Sequence, residues 1–308
     1  MNRRHAGIIS VAFIIICIGY IIYDVSTGKS DNIIATVEKA SGEQQTNWVI
    51  EREFHVDYGI LNAIKVTYNN SIICGGDSFL ALYDEEFNET WKINTPRAIF
   101  ALAFFNDTIY AASQEEILIF SIDGDSLDTW GPYDDNAILT SISANKEYVA
   151  FADAGNQLVF VCDRYGALKS LVGRPGKQFI IPSAYFDIML TESNQLVVAN
   201  TGKRQIEFRN IDGELTRSFG DEGDELKDFC GCCNPSHFDI SPEGLIITAE
   251  KGINRIKVLD LSGRLVEPVT ISNSFVASIP LDISLSPSGE IYAANRGDSN
   301  IYVFKRNH

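Results

Sequence analysis

Short apolar runs separated by turn residues fill the chain from about residue 58 onward. One unit recurs: an apolar strand, a turn, a second strand ending in small residues, a polar turn, and an alternating third strand closed by Asp and Gly. The clearest third strands are Ile206–Gly213 and Ile256–Gly263. Successive copies begin 37, 42, 47, 50 and 45 residues apart, which is about the length of a four-stranded propeller blade. The six copies begin at Leu80, Ile117, Val159, Ile206, Ile256 and Ile301.

Six such units predict an all-β, six-bladed β-propeller, because radial closure leaves no long sheet edge exposed. We expect the alternating third strand to be half-exposed. The last unit supplies only three strands. The isolated strand from Trp48 to Val56 has Trp48, Ile50 and Phe54 on one face, and we expect it to complete the last blade and close the ring.

The turn that precedes the third strand repeats a short motif in the second half of the chain. It occurs as Asn200-Thr201-Gly202-Lys203-Arg204-Gln205-Ile206, as Asn254-Arg255-Ile256 and as Asn295–Ile301. With the closing Asp-Gly or Ser-Gly, these motifs resemble the NHL-repeat family over roughly residues 58 to 308. The family's typical histidine is absent from all three turns. The resemblance implies a propeller of the kind that binds proteins or RNA, and relatives of similar shape include lyases and hydrolases.

The N-terminal residues indicate a membrane anchor. Arg3 and Arg4 precede an uncharged apolar run from Ala6 to Tyr23, which at 18 residues is just long enough to span a bilayer. We predict a single transmembrane signal-anchor helix in residues 1–23, a polar linker in 24–47 and the propeller in 48–308. The paired arginines favour a cytoplasmic N-terminus, which places the propeller outside the cytoplasm. A cleaved signal peptide is the alternative.

The composition of the chain limits the classes of binding partner. Hydrophobic residues make up 45% of the chain, enough for a packed core. The 41 acidic and 25 basic residues give a net charge of −16, which repels phosphate backbones and anionic lipid headgroups. We therefore expect a protein partner and no nucleic acid.

Three of the six cysteines fall within four positions, in Cys230-Gly231-Cys232-Cys233. A disulfide is the simplest interpretation for an exported domain, although it leaves one cysteine unpaired. The second is a metal or metal-cluster site completed by His237. The third is thiol redox exchange through the C-x-x-C spacing. The remaining cysteines are assigned to the anchor or the core: Cys17, Cys74 and Cys162.

The cysteine loop should share one face of the propeller with the turns between second and third strands. We call this the loop face, because the loops joining successive blades also lie there. Cations on this face would lower a thiol pKa and favour the thiolate. Solvated turn residues are the alternative interpretation. The candidate binding residues are Lys203, Arg204, Glu250, Lys251, Asn254 and Arg255.

A second candidate site is formed by Asp187, Asp239 and Asp282. Each is followed by isoleucine, and they precede their third strands by 19, 17 and 19 residues. We expect equivalent positions in successive blades, where three carboxylates facing the channel would hold a cation such as Ca²⁺. Capping of backbone amides is the alternative.

No enzyme signature such as G-x-S-x-G, H-E-x-x-H or a phosphate-binding glycine loop is present. The leading hypothesis is therefore a membrane-anchored extracytoplasmic binding or scaffold module that uses its cysteine-bearing face. The alternative is a metal- or thiol-dependent redox protein or an accessory subunit of a membrane electron-transfer complex.

Overall fold

The structure is a computed structural model that describes residues 46–173, 179–231, 233–270, 275 and 279–307. The chain divides into two units, 1–45 and 46–308, of which the first lies outside the described residues. The predicted anchor (1–23) and nearly all of the predicted linker (24–47) therefore fall outside them. Within the described ranges, no helix is long and apolar enough to cross a membrane.

The described chain is a six-bladed β-propeller of four-stranded antiparallel sheets. Blade one contains β2 (Leu61–Val66), β3 (Ile72–Gly76), β4 (Phe79–Tyr83) and β5 (Glu89–Asn94). Blade two contains β6 (Ala101–Phe105), β7 (Thr108–Ala112), β8 (Ile117–Ser121) and β9 (Ser126–Trp130). Blade three contains β10 (Leu139–Ala144), β11 (Tyr148–Asp153), β12 (Leu158–Asp163) and β13 (Leu168–Val172).

Blades four to six continue the same order from inner to outer strand. Blade four contains β14 (Ile188–Leu190), β15 (Leu196–Asn200), β16 (Gln205–Arg209) and β17 (Leu215–Phe219). Blade five contains β18 (His237–Ile240), β19 (Ile246–Ala249), β20 (Ile256–Leu259) and β21 (Leu265–Pro268). Blade six contains β22 (Asp282–Leu285), β23 (Ile291–Asn295), β24 (Asn300–Arg306) and, as its outer strand, β1 (Trp48–His55).

The first strand closes the ring, as the sequence predicted. β1 pairs antiparallel with β24 from Trp48 opposite Arg306 to His55 opposite Asn300. A bulge between Ile50 and Arg52 interrupts the alternation. Trp48 therefore packs between blades five and six, whereas Phe54 packs between blades six and one, and Ile50 is 47% exposed. The prediction that these three side chains form one face is wrong. The ends of the described chain are thus joined in one sheet, which removes an open edge.

The core consists of apolar clusters that each fill the space between two neighbouring blades, including one between blades six and one. The expectation of half-exposed third strands is wrong. β4 is buried at every position, because it lies between two strands of its sheet and between two blades. The exposed strands are the outer ones, such as β17.

The Asp-Gly and Ser-Gly pairs close the turn between third and fourth strands. Gly213 and Gly263 have φ values of +92° and +84°, in the left-handed region that favours glycine. A Cβ on Gly263 would meet the ring of Phe219 in the preceding blade at 2.4 Å. This glycine is therefore required both by the backbone and by the packing between blades four and five.

Candidate functional site

The loop between β17 and β18 carries the cysteine cluster and lies against two turns of the loop face. Arg204 Nε donates to the carbonyl of Gly231 at 2.6 Å. Asn234 Nδ2 donates to the carbonyl of Lys251 at 2.9 Å, and the Lys251 N–H donates back to Asn234 Oδ1 at 2.7 Å. The cysteine loop thus contacts the turns that precede the third strands of blades four and five.

A buried ion cluster supports this loop from below. Glu250 accepts from Arg255 Nε at 2.9 Å and from its terminal nitrogen at 2.8 Å, and it pairs with Lys257 Nζ at 2.9 Å. Lys257 also donates to the carbonyl of Asp228 at 2.6 Å, and Arg255 to the same oxygen at 2.8 Å. The Lys257 ammonium lies 4.3 Å from the ring centroid of Phe229. Two cations and one carboxylate thus fix the backbone that leads into the cysteines.

Lys257 has an unusual position for a lysine, because its side chain is fully buried. Burial lowers the pKa of Lys257 to about 8, and the adjacent Arg255 guanidinium acts in the same direction, whereas Glu250 opposes the shift. Sequence reasoning missed this residue. The available signal was a charge at the second position of an otherwise apolar third strand, Ile256-Lys257-Val258-Leu259.

The predicted cationic residues of the loop face separate into exposed and buried groups. Lys203 pairs with Glu207 at 3.1 Å and is exposed, whereas Arg204 is partly exposed. Lys251 is also partly exposed, and its ammonium lies 4.8 Å from the ring centroid of Tyr185. Three further candidates lie beneath the surface: Glu250, Asn254 and Arg255. The face therefore has fewer exposed cations than the sequence suggested.

The cysteines differ in their surroundings. Cys230 is half-buried and is not in a disulfide bond. Burial raises the pKa of the Cys230 thiol, and Glu250 adds to that shift, while Arg255 and Lys257 oppose it. Cys233 is buried, and Cys232 lies outside the described residues. The neighbouring cations therefore do not produce the lowered thiol pKa that we expected for Cys230.

Two other sequence predictions concern cysteines and metals. Cys74 and Cys162 are buried core thiols, as predicted, and burial raises the pKa of both. Across the part of the chain that the structure describes, no group of three or more His, Cys, Asp and Glu side chains is arranged to hold a metal ion. The histidine predicted to complete a cysteine site, His237, lies instead beside aspartates of the central channel.

The inner strands surround a channel cavity of about 240 Å³. The pairing of the inner strand with the second strand identifies one equivalent position on each inner strand. It lies opposite a residue near the end of the second strand. In blades four to six these residues are Asp187, His237 and Asp282, of which His237 pairs with Ala249 and Asp282 with Ala294. Blades one to three have small side chains there: Ala63, Ala101 and Ser141.

The predicted equivalence of Asp239 with the other two aspartates is wrong. Asp239 pairs with Ile247, two residues further along the inner strand than His237. Lys65 Nζ lies 3.5 Å from the Asp239 carboxylate. The three aspartates therefore do not form one ring of ligands, and His237 occupies the place that Asp239 was expected to fill.

The aspartates of the channel join neighbouring blades. Asp187 and Asp282 each accept a backbone N–H of the following blade at 2.8 Å, and Asp239 does so at 2.9 Å. Ser141 donates to Asp187 Oδ1 at 2.5 Å. These carboxylates thus bind backbone amides of the next blade, which differs from the predicted capping of amides in a local turn.

His237 lies between the two equivalent aspartates. Its Nδ1 is 3.4 Å from Asp282 Oδ1 and 3.9 Å from Asp187 Oδ2. Burial raises the pKa of Asp282 to about 6, while His237 opposes the shift, and burial also raises the pKa of Asp187. A pair of partly desolvated carboxylates around one imidazole is a candidate ligand site, because perturbed titratable groups in a cavity often mark binding.

Comparisons with known proteins support the fold. No protein-family model matches the chain, and no curated protein matches it. The WD40 β-propeller domain of Doa1 is similar in structure, with a TM-score of 0.60 and 11% identity, over 85% of this chain and 98% of that one. Streptogramin B lyase is also similar, with a TM-score of 0.60 and 12% identity, over 82% of this chain and 96% of that one. At this identity the likeness shows a β-propeller, a common fold for binding and scaffolding.

Proposed function

We propose that this protein is a membrane-anchored extracytoplasmic binding module that engages a protein partner through the loop face of its propeller. The anchor and orientation rest on the apolar run Ala6–Tyr23 and the arginines that precede it. The choice of a protein partner rests on the net charge of −16, which disfavours nucleic acid.

The observation that carries the proposal is the buried ion cluster under the cysteine loop. Arg255 and Lys257 hold the loop backbone by donating hydrogen bonds to the Asp228 carbonyl, and Glu250 pairs with both cations. Burying charges is costly, so a cluster of this kind is a weak way to gain stability. It does hold a long loop in one conformation, and a surface that is ordered before binding loses less conformational entropy when it binds. The loop face is thus preorganised at the cysteine loop.

Site-specific photo-crosslinking tests the proposed face. A photoreactive amino acid replaces Lys203, which is exposed on the loop face, or Asp212, which is exposed on the opposite face of the same blade. We expect a discrete crosslinked adduct in native membranes from position 203 that is absent from position 212. Identical adduct patterns from the two positions, or none from either, would contradict the proposed binding face.

Protease accessibility tests the proposed topology. Protease added outside spheroplasts should degrade the propeller, because Arg3 and Arg4 favour a cytoplasmic N-terminus. Complete protection in intact membranes, with degradation only after detergent is added, would contradict an extracytoplasmic propeller. A cytoplasmic marker protein serves as the control for membrane integrity.

The redox alternative is tested at the cysteines. It requires a reactive thiol or a bound metal at Cys230, Cys232 or Cys233. Thiol counting, metal analysis and a visible spectrum of protein purified with and without air distinguish the two functions. A metal, a chromophore or a rapidly reacting thiol would favour the redox protein, whereas the binding module is expected to show none of these.

A further inference from the structure

His237 occupies a position at which equivalent side chains bind the next blade. Asp187 and Asp282 each accept a backbone N–H of the following blade at 2.8 Å. In blade five Asp239 accepts the Leu285 N–H at 2.9 Å, a second contact that Ser143 and Ser284 make at the equivalent positions of blades three and six. The His237 ring is therefore not needed to join blades. Departures from a repeated structural rule are expected at functional positions.

The contacts of the His237 ring determine which of its two nitrogens can accept a hydrogen bond from a ligand. Both carboxylate contacts of His237 involve Nδ1, at 3.4 Å to Asp282 and 3.9 Å to Asp187. Carboxylates on this side favour a proton on Nδ1, which leaves Nε2 as an acceptor in the neutral ring. The side chain is 18% exposed and lines the channel cavity. His237 therefore presents a hydrogen-bond acceptor inside a negatively charged pocket.

The charge of the pocket selects the ligand. Lys65 lies 3.5 Å from Asp239 and offsets that carboxylate. Asp187 and Asp282 share the His237 ring between them, and Lys65 also attracts the Asp282 carboxylate. On the opposite side of the same ring of positions, Ala101 lines the cavity with only a methyl group. A cation that donates N–H groups fits this arrangement, because it balances the carboxylates and satisfies the imidazole.

We propose that the channel binds a primary ammonium group, with its charge balanced by Asp187 and Asp282 and one N–H donated to Nε2 of His237. The ammonium belongs either to a small alkylamine or to a lysine side chain of the partner, and the cavity of about 240 Å³ has room for a short alkyl chain. This inference rests on the proposed function in treating the propeller as a binding module, and it adds the chemistry of the ligand.

Calorimetric titration of the full-length protein with n-butylammonium tests the site. n-Butanol has the same chain without the charge, and choline has the charge without N–H donors. Nα-acetyl-lysine methylamide presents the ammonium on a lysine side chain. We expect n-butylammonium to bind more tightly than butanol and choline. Tighter binding of the lysine derivative than of butylammonium would identify a partner side chain as the source, and the reverse order a free amine.

Two variants separate binding from folding. His237→Phe should weaken butylammonium binding at least about tenfold, because it keeps an aromatic ring but removes the acceptor of a charged hydrogen bond. Asp282→Asn should weaken it by a similar factor while keeping an oxygen for the backbone N–H that Asp282 accepts. Glu225→Gln, on the exposed part of the cysteine loop, is the matched control and should bind as wild type does.

Defined results would overturn the ammonium site. These are the absence of binding by both amines, equal binding of choline, or unchanged affinity in folded His237→Phe. Each leaves the crosslinking result at the loop face unaffected. Conversely, amine binding without crosslinks from position 203 would retain the site and refute the proposed partner face.

Discussion

The ion cluster under the cysteine loop predicts a large effect of one neutral substitution, Glu250→Gln. The side chain of Glu250 is fully buried and accepts from Arg255 at 2.8 and 2.9 Å and from Lys257 at 2.9 Å. The variant leaves two buried cations without their carboxylate. Removing one partner from a buried ion pair costs about 3–5 kcal/mol.

Lys257 limits the size of this effect. Its pKa of about 8 lies close to neutral pH, so the ammonium loses its proton at a cost of about 1.4 kcal/mol per pH unit. We therefore expect Glu250→Gln to lower the free energy of unfolding by about 3 kcal/mol at pH 7, near the lower end of the range. For a domain of this size the Tm should fall by roughly 6 to 12 °C.

Urea unfolding and calorimetry of the purified full-length protein measure the change. Glu225→Gln is the control, because its partner Lys227 belongs to the same loop but both side chains are exposed, and we expect no measurable change. Hydrogen exchange should also become faster at Asp228 in Glu250→Gln, while the amides of blade two stay protected. A loss below about 1 kcal/mol, or an equal effect of the two variants, would refute a stabilising role for the cluster.

Three further predictions use the same unfolding measurements. Between pH 8 and about 10.5, Lys257 is protonated in the unfolded chain but not in the folded protein. The free energy of unfolding of the wild type should therefore rise by about 3 kcal/mol over this pH range. Lys257→Met should lack that rise. The pKa of Asp282 in the folded protein is raised to about 6, so between pH 4 and 6 this carboxyl is protonated in the folded state but not in the unfolded state. The free energy of unfolding of the wild type should therefore fall by up to about 3 kcal/mol over this range, and that of Asp282→Asn should not. Gly263→Ala should lower the Tm more than Gly289→Ala, because both positions have positive φ but only a Cβ at 263 meets a phenylalanine ring; equal losses would show that backbone conformation alone matters.

The fold was predictable because its signals are local. Blades two to five end their third strand with a turn whose glycine has a left-handed backbone, and the spacing of the third strands gives the blade count. The role of β1 was also predictable, because one unit lacked a strand. The alternating sequence pattern did not predict that the third strand is buried. A pattern of period two does not show that a sheet packs on both faces against neighbouring blades.

The candidate site was less predictable because its contacts join distant segments. Arg255 follows a turn and was expected at the surface, but the structure buries it against Glu250. Asp239 was aligned with other aspartates through the Asp-Ile pair, although the constant distance of 19 residues to the third strand belongs to Asp187, His237 and Asp282. Residue identity was a poorer guide than spacing, because pairing register fixes which side chains share a level of the channel.

Blades four and five show why function is expected at the cysteine loop. Their third strands begin 50 residues apart, and the same offset relates Phe179 to Phe229, each of which packs under a buried cation. At this offset Glu207 becomes Lys257, a reversal of charge at a fully buried position.

The same offset replaces Asp187 by His237 in the channel and Asn200 by Glu250 beside the loop. A repeat selected only for stability would keep one solution at equivalent buried positions, because every buried charge needs its own partners. The changes instead surround the segment that carries the three clustered cysteines, on the face where the channel residue His237 begins its strand. Blade five therefore departs from blade four at buried positions around its loop and channel, and these residues are where mutations should separate binding from folding.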